Sequence, residues 1–118
     1  MKKVNLREIC EPYKHCGVVY AFSTSDDIVY IGSTYSLYNR ISGHNSLTDK
    51  NSLRSKSGKK TKHFNLTIIC CTKDRRVNIR KLEQRAIDEY IKLKGRKPLY
   101  NSANSYYENP SYKYLNTL

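Results

Sequence analysis

Apolar residues cluster in short runs along this chain, separated by polar stretches of distinct character. GVVYAF (residues 17–22) and IVYI (residues 28–31) are rich in β-branched and aromatic residues, and the polar STSDD lies between them. Such a pair of runs around turn formers predicts a β-hairpin. A period of two puts Val18, Tyr20 and Phe22 on one face of the first strand, and Ile28 and Tyr30 together on one face of the second. After Gly32 comes STYSLYNRISGH, where Thr34 or Ser36 can cap a helix whose body is residues 37–44. Residues 45–63 are polar and basic with little periodicity, which predicts a long mobile loop. FNLTIICC (residues 64–71) predicts a third strand. TKDRR then turns the chain into a second helix over residues 77–94, which Gly95 can close and Pro98 prevents from continuing. The order β-β-α-β-α predicts a small α/β (α+β) domain, a three-stranded antiparallel sheet flanked by helices.

A length of 118 residues bounds the chain to one such domain. Residues 1–16 form an N-terminal extension, residues 17–103 the domain, and residues 104–118 a tail dense in tyrosine and asparagine. No internal repeat is visible. No apolar run is long enough to cross a membrane, and the two lysines after Met1 are not followed by the apolar stretch of a secretory signal. An intracellular protein is expected, with Cys10, Cys16, Cys70 and Cys71 as reduced thiols. His15 beside Cys16 gives only a loose C-x4-H-C, not the two-residue gap of a zinc knuckle, and Cys70 and Cys71 read as small core residues.

Charge changes the picture. Lysine and arginine number 22 against 10 acidic residues, a formal net charge of +12. An excess of that size on so small a body favours a polyanionic partner, most often nucleic acid, through release of counterions from phosphates. Arg54, Lys56, Lys59, Lys60 and Lys62 are concentrated in the loop that lacks a core pattern, so they are candidate nucleic-acid contacts.

The helices carry the candidate chemistry. With Leu37 at zero and 100° per residue, His44 falls about 20° and Arg40 about 60° to one side, and Ile41 about 40° to the other. Arg40 and His44 thus share the inward half with the aliphatic residues. In the second helix, with Leu82 at zero, Ala86, Ile79, Tyr90 and Ile87 span about 40° to 140°, and Glu83 lands near 100°. A carboxylate in the middle of an apolar arc costs several kcal/mol unless a cation or hydrogen bonds compensate it. Two readings are open: an ion pair with Arg40 or a lysine, and a metal ligand at the rim of a cleft. Ten acidic residues with no close D-x-D or E-x-x-D set favour one carboxylate and one metal over a site with two metals.

These residues match a family. VVY (residues 18–20), YIG (residues 30–32), Arg40 and His44 after that glycine, Glu83 in KLEQRAIDEY and Asn101 in KPLYNSA follow one another in order and at suitable spacing. The chain resembles the GIY-YIG nuclease domain over roughly residues 17–102, with Val18 in place of the usual first glycine. The resemblance is nearest to homing-type and stand-alone phage or viral members.

It implies metal-dependent hydrolysis of phosphodiesters, normally in DNA. Tyr20 would be the general base or would orient the attacking water, and Tyr30 would line the site and bond the phosphate or water. Arg40 would bind the scissile phosphate, which its planar fork suits. His44 would assist proton transfer or contact the phosphate, Glu83 would hold Mg2+ or Mn2+, and Asn101 would brace the site. A tyrosine of pKa about 10 is a poor base without a cation beside it, and His44, near 6.5 when unperturbed, competes for the role. Competing readings are a non-catalytic nucleic-acid-binding module that keeps the nuclease fold, and a subunit whose specificity comes from a protein partner.

Overall fold

The computed structural model describes residues 5–101. The tyrosine-rich tail predicted over residues 104–118 lies outside the described residues.

The hairpin forms as the pattern predicts, and its first strand becomes the middle of the sheet. β1 (Gly17–Ser23) pairs antiparallel with β2 (Ile28–Thr34) on one side and with β3 (Asn65–Thr72) on the other, giving the order β2-β1-β3. Central position explains why β1 is apolar at successive residues rather than at alternate ones. Val18, Tyr20 and Phe22 face a core completed by α1 (Leu6–Cys10), α2 (Leu37–Gly43) and α3 (Leu53–Ser57). Val19 and Ala21 face a second core, where Ile31 of β2 meets Ile87 and Tyr90 of α4 (Ile79–Lys94). Each fully buried aliphatic or aromatic side chain in these cores contributes about 1.5–3 kcal/mol. Among the described residues the fold is therefore α+β in three layers, with helices on both faces of a small antiparallel sheet.

Two bulges modify the simple period of two. Phe22 opposes Tyr30 but Ser23 opposes Ile28, so Val29 is the extra residue in β2. An extra residue turns everything beyond it to the other face. Ile28 accordingly packs with the α4 cluster while Tyr30 stays with Tyr20, which corrects the expectation that the two share a face. In β3, Val19 opposes Cys70 and Tyr20 opposes Ile68, leaving Ile69 as the extra residue. Cys70 is half-buried against the α4 cluster, but Cys71 is exposed, contrary to its reading as a core residue. The buried thiols are Cys10 and Cys16, and all four cysteines are free.

The segment predicted as a long mobile loop is folded instead. Ser52 caps α3 by accepting from the Ser55 amide, and Gly58 ends it in a left-handed conformation, φ 76°. Leu53 is fully buried in the first core and Ser52 is buried beside it. The side chain of Asn45 accepts from the Thr61 amide at 2.8 Å and holds the far end of the segment. A five-residue helix with one apolar anchor is too short to show a helical period. Its cap residues are what form it.

α4 starts two residues later than predicted, at Ile79, because Asn78 caps it by accepting from the Arg80 amide. Gly95 ends it in the left-handed region at φ 74°. Its far end is tied to the hairpin turn through Asp27, which accepts from the Tyr90 hydroxyl at 2.7 Å and from Arg96 at 2.8 Å. Beyond buried Pro98, the Tyr100 amide donates to the Val29 carbonyl, and the Asn101 side chain bonds both the amide and the carbonyl of Ile31. No helix among the described residues is long and apolar enough to cross a membrane.

Candidate active site

β1 and β2 bring the two motif tyrosines together over a glycine. Tyr20 pairs with Gly32 across the hairpin, and its ring centroid lies 6.2 Å from that of Tyr30. A Cβ at Gly32 would stand 2.7 Å from the Tyr20 hydroxyl oxygen and 2.8 Å from Tyr30 Cε1. Position 32 is glycine because two phenol rings close over its backbone.

α2 adds the histidine and the arginine from its inward side, as the helical period requires. His44 sits just past the last helical turn, completely buried, with ring centroids 4.9 Å from Tyr30, 5.5 Å from Phe22 and 6.0 Å from Tyr20. This aromatic box, together with the positive charges of Arg40 and Lys56, drives the imidazole pKa down to about 3. Neutral His44 has one N–H and one free lone pair. The Leu53 amide donates to Nδ1 at 3.0 Å, so the proton resides on Nε2. Nε2 lies 2.8 Å from the Tyr20 hydroxyl oxygen and donates to it. The Tyr20 proton is thereby left to point elsewhere.

Burial pushes Tyr20 well above the ordinary phenol value and raises Tyr30 as well, and Arg40 pulls both back. Arg40 interacts with both tyrosine hydroxyls and pairs loosely, at 3.7 Å, with a half-exposed Asp49.

Glu83 of α4 reaches the same stretch of β2, close enough for its charge to act on Tyr30 and Arg40. It accepts from the Ser33 hydroxyl at 2.7 Å, one residue beyond Gly32. It is half-buried, and burial raises its pKa against the pull of Ser33, Arg80 and Arg40. No described residue forms an ion pair with it within 4.0 Å. Asn101 does not touch the tyrosines. It brackets Ile31, the residue between Tyr30 and Gly32, through both backbone groups.

The GIY-YIG catalytic domain matches residues 16–97 of this chain. The chain belongs to the GIY-YIG family. Among curated proteins and among solved structures, nothing matches it. The GIY-YIG assignment makes this a nuclease fold.

The five basic residues of the former loop divide into two groups. Lys59, Lys60 and Lys62 are exposed. Arg54 and Lys56 are half-buried and bond the carbonyls of Asn45 and Tyr100, respectively. Among the described residues no three His, Cys, Asp or Glu side chains gather as a metal-binding group. The donors that do fit a hard cation are the Glu83 carboxylate and the Ser33 hydroxyl, both oxygens, a set suited to Mg2+ or Mn2+, which keep much of their water.

Three groups beside the cluster carry no motif, although Lys56 is among the basic candidates of the sequence: the Leu53 amide bonds His44, Lys56 lies near Tyr30, and Ser33 donates to Glu83. The caps Ser52 and Gly58 were the available signal for the first two. Ser33 follows the motif glycine directly but resembles an ordinary strand residue.

Proposed function

We propose that this GIY-YIG chain is an endonuclease that hydrolyses DNA phosphodiester bonds with the help of Mg2+ or Mn2+. The observation that carries the reading is Glu83. It is a half-buried carboxylate without an ion-pair partner among the described residues, at the strand that also carries Tyr30. A module that only binds nucleic acid gains nothing from a negative charge near a phosphate, whereas a site for a cation requires one.

In this reading Glu83 and Ser33 would hold the metal, which would supply positive charge to neutralise the phosphate and to acidify the groups around it. Arg40, held beside Tyr20 and Tyr30 and only loosely paired with Asp49, would bind the scissile phosphate through its planar fork. Tyr20 would first release its own proton to solvent under the pull of Arg40 and the bound cation, and as the phenolate would take the proton of the attacking water. His44 is the donor that keeps the Tyr20 oxygen in place and stabilises its phenolate form, because Nδ1 is already engaged and Nε2 bears the proton. Tyr30 closes the wall of the cleft and Asn101 holds the β2 backbone beneath it.

The net charge of +12 supplies attraction to the duplex, with Lys59, Lys60 and Lys62 exposed to meet its backbone. A supercoiled plasmid incubated with the protein, with Mg2+ or with chelator, tests the proposal. Metal-dependent nicking or linearisation is the expected result. Salt-sensitive binding without cleavage under any divalent ion would favour the non-catalytic module.

A further inference from the structure

We propose that Lys56 is a second phosphate-binding cation of this site, set beside Arg40 to engage the DNA backbone. The inference rests on the reading above that the cleft takes a nucleic-acid phosphate.

α3 fixes the position of this lysine. Leu53 is buried in the core with its amide bonded to His44, and Lys56 lies three residues on, along the same side of the helix. The lysine Nζ stands 5.7 Å from the centroid of the Tyr30 ring and donates to the Tyr100 carbonyl at 3.0 Å. An ammonium has three donors, and this is the one hydrogen bond that the Lys56 ammonium makes among the described residues. Two N–H groups remain for a ligand.

The charges around it are unfavourable without one. Burial and the repulsion of Arg40 weaken the hold of Lys56 on its proton, and Asp49, the one opposing charge, makes its contact with Arg40. Asp49 is the one carboxylate in contact with this pair of half-buried cations, and Glu83 acts on Arg40 but not on Lys56, so the positive charge at Lys56 stays uncompensated. Folding gains nothing from such an arrangement, but an anion between Arg40 and Lys56 compensates both. Lys59, Lys60 and Lys62 are exposed and lack any comparable constraint. The opposing explanation is that Lys56 is a strut, holding Tyr100 and through it the segment that brackets β2.

Binding of a fluorescein-labelled 20-base-pair duplex in chelator, measured across a salt series, separates the two. Lys56→Met is expected to weaken binding roughly tenfold and to make the slope of log K against log salt shallower by about 0.9. It should melt at or above the wild-type temperature, and Lys56→Arg should keep the wild-type slope. If Lys56→Met melts lower, Lys56→Gln keeps a donor for Tyr100 without the charge, and the same shallower slope is expected. An unchanged slope in the uncharged variants overturns the assignment of Lys56 alone. A wild-type protein that fails to bind the duplex overturns both this inference and the nuclease reading.

Discussion

The Tyr20 hydroxyl oxygen lies 2.8 Å from His44 Nε2, and the Leu53 amide, 3.0 Å from Nδ1, determines that His44 is the donor. An imidazolium would place a second N–H against that amide. Nitrogen-15 spectra should therefore show His44 neutral at pH 5, with its proton on Nε2.

The same geometry predicts an acid-sensitive fold. His44 titrates near 6.5 when unfolded and at about 3 when folded. Between those values the unfolded chain binds the extra proton, so stability falls as pH falls, by up to about 1.4 kcal/mol per pH unit. Urea midpoints at pH 7, 5.5 and 4.5 should decline steadily. A flat profile would show His44 charged or unpartnered.

Asp27 adds a separate, lower window. The Tyr90 hydroxyl, followed by Arg96, holds its carboxyl below the usual carboxylate range. Its contribution is complete above the unfolded value of about 3.9 and is lost as pH falls through the lower folded one. Asp27→Asn should lower the melting temperature at pH 7 and flatten its fall below pH 4. Equal melting at pH 7 would mean that the tie between hairpin and α4 contributes nothing.

Gly32→Ala tests how tightly the tyrosines close. The added methyl would meet the Tyr20 hydroxyl oxygen at 2.7 Å, with Tyr30 Cε1 at 2.8 Å, and both rings are packed against His44. A loss of about 1–3 kcal/mol in stability is expected, with the Tyr20–His44 contact displaced and turnover reduced. Wild-type melting and turnover would show that the rings yield at no cost.

Periodicity made much of this site legible. Tyr20 and Tyr30 lie on one face because strands alternate, and Arg40 and His44 turn inward because α2 repeats every 3.6 residues. Glu83 likewise stands in the buried arc of α4, although that arc is centred nearer Glu83 than Leu82, with Ile79, Gln84, Ile87 and Tyr90 its buried members. What periodicity could not show is local. The bulge at Val29 sends Ile28 to the opposite face, since one extra residue is invisible in a run of apolar ones. α3 escaped notice because its signal is two caps and a single leucine. With it went the Leu53 amide that sets the His44 tautomer, and the placement of Lys56 against Tyr30.

Tyr20→Phe removes the hydroxyl and leaves His44 Nε2–H buried without a partner. Stability should fall by about 1–3 kcal/mol with the fold retained. If Tyr20 takes the proton from water, turnover should drop by about two orders of magnitude or more. Near-normal turnover would remove Tyr20 from that role.

Glu83→Gln, assayed for melting temperature and plasmid nicking on the same preparation, tests the account most directly. The amide oxygen can still accept from Ser33, so only the charge is lost. Because burial raises the pKa of Glu83, its ionised form costs the fold stability at neutral pH, and the variant should melt at or above the wild-type temperature. Cleavage should vanish at any practical Mg2+ concentration, while duplex binding without metal holds or strengthens. A variant that melts lower and still cuts DNA with unchanged metal dependence would contradict the assignment of Glu83 as the metal ligand.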